Sequence, residues 1–355
     1  SGWAPRFVSI SPDGTRVYVN EYRGKVHIID VASDKVIDSI LLTQPATYQP
    51  CDIAITPDGS KLFVYTSGIN QVIVIDTATH ALLARFDAFS DVIAISSDGQ
   101  LAYIPGSRFA VIDILNLTVR YIEVSDIEGG NSKIVLSNDN RITYIADTQR
   151  DILQVVDLEN WRLIANIPVG NMGSPEVGLA ITPDGNKVFV CNGYSKNISV
   201  VSTTEHKVID TIPMGTVLAG IAISPDGRVA YVIAVQSGDK PVNDVVALDV
   251  ATHKVIQRWD GRWEPIQFGH PFEVVVSPDG QHAYFGGVDF EVVIIMDVEN
   301  GSTRYIEGGL DPFNLALSKD GGLLYVSNSG SDDITVIDTQ TETVVDRIPI
   351  QIEED

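Results

Sequence analysis

Two cysteines, four tryptophans and 24 basic residues against 47 acidic ones mark what this 355-residue chain has little of. Cys51 and Cys191 fall in the second and fifth of the repeats described below, too far apart in a closed ring for a disulfide, and no Cys-x-x-Cys exists to support thiol redox chemistry. No run of 18 apolar residues is present, so no helix is expected to span a membrane. The shortage of Lys and Arg gives a formal charge of -23, a field that disfavours nucleic-acid phosphates and anionic lipid. Gly-x-Ser-x-Gly, the phosphate-binding loop and a Gly-x-Gly-x-x-Gly opening a helix are all missing, which leaves serine-hydrolase and nucleotide-binding readings without support. No linker or low-complexity stretch interrupts residues 1–355, and one domain is expected.

What is there is a repeat. An apolar run closed by Ser/Thr-Pro-Asp-Gly or a close variant recurs with its aspartate at Asp13, Asp58, Asp98, Asp139, Asp184, Asp226, Asp279 and Asp320. The intervals run from 40 to 53 residues, the period of propeller blades rather than of ankyrin or leucine-rich repeats. In the fifth unit, strands are expected at 179–182, 187–191, 197–202 and 207–212, the first apolar enough for burial on both faces. Pro183 presets φ for a turn, Asp184 bonds nearby backbone and Gly185 tolerates the exit geometry; in the fourth unit Asn140 replaces the glycine because Asn accepts the left-handed region. Seven third strands end in Asp30, Asp76, Asp113, Asp157, Asp249, Asp297 and Asp338, with Ser202 the exception. With the eight turn acids, 15 of the 47 acidic residues are therefore turn formers. Eight units predict an all-β ring of eight four-stranded blades, closed without a shared strand; a seven-bladed ring with one unit outside it is the alternative.

The second-strand sequences Tyr325-Val326-Ser327-Asn328 and Phe189-Val190-Cys191-Asn192, each preceded by the turn motif, resemble the YVTN family of β-propellers over nearly the whole chain. Similar repeats occur in surface-layer proteins, lactonase-like enzymes, the lyase that opens streptogramin antibiotics, amine dehydrogenase subunits and haem d1 proteins. The resemblance implies a propeller, most often of seven blades, and favours an extracytoplasmic location. Quinoprotein alcohol dehydrogenases have eight blades, but their repeated tryptophan-docking motif is not visible here.

A propeller lines its channel with each blade's first strand. One rim is formed by the loops leading into that strand together with those between strands two and three. Aligned on the turns, this loop rim receives Arg6, Phe7, Gln49, Asp52, Asp91, Lys133, Glu176, His270, Glu273, Asp311 and Asn314. His270, Glu273, Asp311, Asn314, Arg6 and Asp52 come from four blades that adjoin if the ring closes. A histidine flanked by carboxylates suits acid/base work near neutral pH, with His270, Glu273, Asp311 and Arg6 as catalytic candidates. Asp52 is the candidate ligand for a divalent cation, calcium or magnesium. The insertion 260–271 brings Trp263 and Phe268 as a lid or pocket wall, and a second insertion, 236–243, emerges beside it; Phe7, Lys133 and Asn314 complete the substrate-binding candidates. Solvated rim polarity is the bland alternative for all of these. Function is expected to be that of a small-molecule lyase, isomerase or hydrolase. The alternatives are a non-catalytic binding module for a protein or glycan and a tetrapyrrole site for which only His270 could be axial ligand. The remaining histidines, His27, His80, His206, His253 and His282, are expected in strands or near the opposite rim.

Overall fold

The computed structural model describes residues 5–42, 50–88, 90, 92–106, 108–122, 133–173, 178–235, 243–259, 270–288 and 291–350; for residues 50, 51, 243, 270–273, 287 and 288 the backbone alone is described. These residues form 32 strands and no helix. Each repeat is one antiparallel four-stranded sheet whose order follows the chain, and neighbouring innermost strands touch all the way round, from Pro5–Ile10 of blade 1 to Pro312–Leu317 of blade 8 and back. The ring therefore has eight blades and closes with no strand exchanged between its first and last sheets.

The turn chemistry explains why the chain folds back at these points. In all eight turns the Ser or Thr two residues before the aspartate donates its hydroxyl to that carboxylate, as Ser224 does to Asp226 at 2.6 Å, while the same hydroxyl oxygen accepts the N–H of the residue entering the second strand. The next residue has positive φ each time, including Gly185 at 72° and Asn140 at 57°. At each turn the serine or threonine hydroxyl holds the Asp pKa below the usual carboxylate range, helped by backbone N–H donors.

The two middle strands of each blade are buried on both faces, whereas the outer strand alternates exposed and half-buried residues. Five residues after the turn aspartate every blade carries a buried aromatic ring: Tyr18, Phe63, Tyr103, Tyr144, Phe189, Tyr231, Tyr284 and Tyr325, none more than 4% exposed. Each ring wedges one blade against the next, and burial of this kind contributes about 1.5–3 kcal/mol per aromatic side chain. In blade 5 the strands are Leu179–Ile181, Lys187–Asn192, Asn197–Ser202 and Lys207–Pro213, within a residue of expectation. The first strand departs in one respect: Leu179, Ala180 and Ile181 are half-buried, because an innermost strand has one edge on the channel rather than a sheet on both sides.

Candidate functional site

The loop rim is built differently in blades 7, 8, 1 and 2 from elsewhere. Eight residues before the turn aspartate these blades carry Pro271, Pro312, Pro5 and Pro50, and their innermost strands begin at or next to that proline: His270–Val276, Pro312–Leu317, Pro5–Ile10 and Pro50–Ile55. Proline suits the start of an edge strand because it has no N–H to leave unpaired. Immediately after it the pairing to the second strand shifts register in all four blades, between Pro271 and Glu273, Pro312 and Asn314, Pro5 and Val8, and Pro50 and Asp52; blade 6, which has no such proline, also shifts, between Leu218 and Ile221. A bulge re-aims side chains while letting the ladder continue. Consequently Arg6, Phe7, Asp52, His270, Glu273 and Asn314 lie in strands, not in loops ahead of them as the sequence suggested; His270 faces Val288 and Glu273 faces Gly286 across the ladder.

Arg6 is half-buried where blades 8 and 1 meet. Its guanidinium carbon lies 5.4 Å from the ring centroid of Tyr22 and 5.3 Å from that of Phe313, and Phe313 meets Phe7 edge to face at 5.5 Å. Among the described residues no side-chain N–H of Arg6 has a hydrogen-bond or carboxylate partner. Aromatic faces on a guanidinium hold its plane while leaving the edge donors available, the arrangement that suits a bidentate anion.

Asn314 and Asp52 serve the ring itself. Asn314 Oδ1 accepts the backbone N–H of Val8 at 3.0 Å, joining the last blade to the first. Asp52 Oδ2 accepts the N–H of Ile93 at 2.7 Å, joining blade 2 to blade 3, and its Oδ1 accepts the N–H of Ile53 at 2.8 Å. These bonds replace the ligand roles expected of the two side chains. Among the described residues no three His, Cys, Asp or Glu side chains come together as a metal site, so calcium or magnesium at Asp52 has no support. Glu273 occupies the same register position as Asp52 and Asn314. Asp311 has φ 52° and offers its backbone oxygen to the N–H of Ser329 at 3.0 Å, shaping the rim beside Gly330. Lys133 is exposed on blade 4, across the ring from blade 8, and is not part of the cluster. Trp263, Phe268 and residues 236–242 lie outside the described residues.

Tyr22 and Phe313 were missed by sequence reasoning, and the signal that could have found this arc is the spacing of the four prolines. On the opposite rim a cavity of about 420 Å³ between the turns of blades 1 and 2 is lined by Ser11, Asp13, Arg16, Tyr18, Asp58 and Thr77 among others. Asp13 and Asp58 there are engaged in the turn hydrogen bonds, so this cleft belongs to the blade packing.

Fold and site together define an eight-bladed β-propeller with an aromatic and cationic patch across the junction of its first and last blades. No family model matches the chain. Hydrazine synthase subunit beta of Kuenenia stuttgartiensis is 24% identical over 227 residues, covering 57% of this chain and 54% of that protein, so the chain spans about half the length of this relative. Among solved structures, Kuenenia stuttgartiensis hydrazine synthase superposes with a TM-score of 0.65 at 19% identity over 95% of this chain and 96% of the other. The dihydro-heme d1 dehydrogenase NirN in complex with DHE gives 0.71 at 16% identity over 86% of this chain and 66% of the other. At these identities the structural likeness is one of fold.

Proposed function

We propose that the loop rim of blades 7, 8, 1 and 2 binds a small anionic molecule and performs acid/base chemistry on it, as a lyase, isomerase or hydrolase would. The observation that carries this reading is Arg6, its guanidinium set between Tyr22 and Phe313 with no side-chain hydrogen-bond partner among the described residues. In a chain of net charge -23 an arginine with no carboxylate partner among the described residues marks where an anion is received. Arg6 anchors the ligand and Phe7 and Phe313 give its apolar part a surface. His270 and Glu273, on the innermost strand of blade 7, one blade beyond Phe313, supply the proton donor and acceptor; imidazole changes charge in the range where such transfers occur.

Purified protein is to be screened by thermal shift against small carboxylates and phosphate esters, and hits titrated calorimetrically with wild type and Arg6→Ala. Loss of the guanidinium is expected to weaken binding by roughly 30-fold or more, as for a charge-assisted contact partly removed from water. Binding that is unchanged in Arg6→Ala overturns the anchor; no hit at all favours a rim that serves a partner protein, a reading in keeping with a relative that is named a subunit.

A second reading is tetrapyrrole binding, favoured by the fold likeness to NirN, whose structure is a complex with DHE. Arg6 fits the carboxylate edge of such a ring and the aromatic side chains fit its face. Bound there, the group would supply redox chemistry, with His270 the candidate residue to hold it. Titration with a dihydro-haem followed by absorbance, in wild type and His270→Ala, tests this without an activity assay.

A further inference from the structure

At four junctions around the ring, one residue of the outer strand meets the turn between the third and fourth strands of the following blade. From blade 1 to blade 2, Asp38 pairs with His80. From blade 3 to blade 4 the Arg120 guanidinium lies 5.2 Å from the ring centre of Trp161. From blade 5 to blade 6, Asp210 Oδ2 is 2.7 Å from His253 Nδ1, and from blade 7 to blade 8, Arg304 is 2.6 Å from Glu342. The turn member has positive φ in each. At the junction that closes the ring the same two positions hold Asp346 on blade 8 and Asp34, φ 50°, on blade 1. Like charges meet there. Burial above all, then Asp346 and Asp30, raise the Asp34 pKa, and its Oδ1 is buried with no hydrogen-bond partner.

A second unpaired group lies at this junction. The Tyr18 and Tyr284 hydroxyls bond to Thr77 and Thr339 of the following blades. Tyr325 holds the equivalent place in blade 8, where blade 1 presents Val31, an apolar residue like Ile114, Leu158, Val250 and Val298 at this position in four other blades, and the fully buried Tyr325 hydroxyl has no partner among the described residues. On the same face of blade 1, Glu21 is fully buried with neither oxygen hydrogen-bonded, and His27 Nε2 lies 3.3 Å from its Oε2 without alignment for a bond. Five of the fourteen buried side-chain polar atoms without a partner among the described residues thus belong to one junction of eight. An unsatisfied group in such surroundings is costly. What fastens the seam is an apolar cluster including Val8, Val19, Tyr325 and Ile334, with two hydrogen bonds at the inner edge: Val8 N–H to Asn314 Oδ1, and Ser327 Oγ–H to the backbone oxygen of Arg6.

We propose that the junction of blades 8 and 1 is a proton-operated latch: uptake of one solvent proton by Asp34 fastens its outer edge, and release of that proton loosens it while the inner edge stays pinned. The protonated Asp34 carboxyl gains an O–H to donate to the Asp346 carboxylate, and the repulsion between them ends. The charged or titratable groups around Asp34 are Asp346, Asp30, which Arg16 already pairs, and Tyr325; Arg347 is turned away to the backbone oxygens of Glu307 and Gly308. Because the folded-state pKa of Asp34 lies above its unfolded value, the stabilisation is complete below the ordinary aspartate range near pH ~4 and is lost as pH rises through the raised value. The latch does not depend on the ligand reading.

The test is hydrogen exchange on the full chain for wild type, Asp34→Asn, Asp34→His and Asp346→Asn, each compared with wild type at the same pH. Asn and His both accept positive φ elsewhere in this molecule, at Asn140 and His80. At pH 8 all three variants are expected to protect amides of residues 16–30 and 323–338 more than wild type does: Asp34→Asn and Asp34→His by about tenfold for each unit by which the pKa is raised, and Asp346→Asn by less, because it removes the repulsion and leaves the burial. The gain should shrink towards zero as pH is lowered into the range where Asp34 is protonated, and the Asp210–His253 junction should not change. Equal protection in wild type and Asp346→Asn at pH 8, or a gain spread evenly over all blades, overturns the latch. If Asp34→Asn fails to fold, Asp346→Asn alone decides.

Discussion

Blades 7, 8, 1 and 2 and blades 3, 4 and 5 are made from the same repeat, yet their channel-facing edges differ. In the first arc the innermost strand runs six or seven residues from a proline through a bulge; in the second, Ala94–Ile95, Ile134–Leu136 and Leu179–Ile181 have two or three. Six residues before the turn, the first arc places Glu273, Asn314, Phe7 and Asp52 inside a strand, while the second leaves Val92, Lys133 and Gly178 outside one. The turns themselves do not distinguish the arcs, since the hydroxyl-to-aspartate bond is present in both. Turn chemistry is uniform around the ring; chemistry at the inner edge is not, since Asp52 and Asn314 clamp neighbouring blades there while Arg6 lies against aromatic rings.

The comparison breaks most sharply at His270. His270→Ala, in the bulged arc, is expected to lower turnover of an identified substrate by about 100-fold or more, as loss of a general acid or base does, while His206→Ala on the turn rim leaves it unchanged. Equal kinetics for the two variants would remove His270 from the chemistry. Next comes Arg6 against Lys133, the cationic residues of the two arcs. Arg6→Lys keeps the charge but loses the planar fork, and is expected to weaken ligand binding by about tenfold, with Lys133→Ala silent in the same calorimetric titration.

Smaller effects probe the uniform part. Gly185→Val must adopt φ near 72° and should cost on the order of 1 kcal/mol or more, read as a lowered melting temperature. Smallest is the proton linkage of the turns. Their aspartates are held below the ordinary range by the neighbouring hydroxyl, so the stability they contribute is present above pH ~4 and lost as pH falls through the depressed values. Ser224→Ala should move the Asp226 titration, followed by carboxyl carbon resonance, back upward with little change in melting at neutral pH.

The blade count and the turn geometry were legible because their causes are local: a hydroxyl, an aspartate and a residue with positive φ within four positions, eight times over, with a proline before the aspartate in five of the eight. The arc carrying the candidate site was legible only in outline. Arg6, Asp52, His270 and Glu273 were placed on the correct rim, but as loop residues, since a bulge that lets pairing continue has no strong signature beyond its proline. The clamp from Asn314 to Val8 spans 306 residues, and nothing near Asn314 announces that its oxygen is already engaged. Tyr22 and Phe313 escaped notice because neither breaks a pattern; they matter through a guanidinium that ring closure brings between them.

Closure without a shared strand has a consequence for how the ring can open. Every ladder in the molecule joins strands adjacent in the chain, so each sheet can form by short loop closures whose entropy cost is low and nearly the same for all blades. Contacts between the first and last blades alone demand that opposite ends of the chain meet, and no hairpin draws those ends together in advance. An open row of eight blades, lacking only the seam between blades 8 and 1, therefore keeps every described ladder intact.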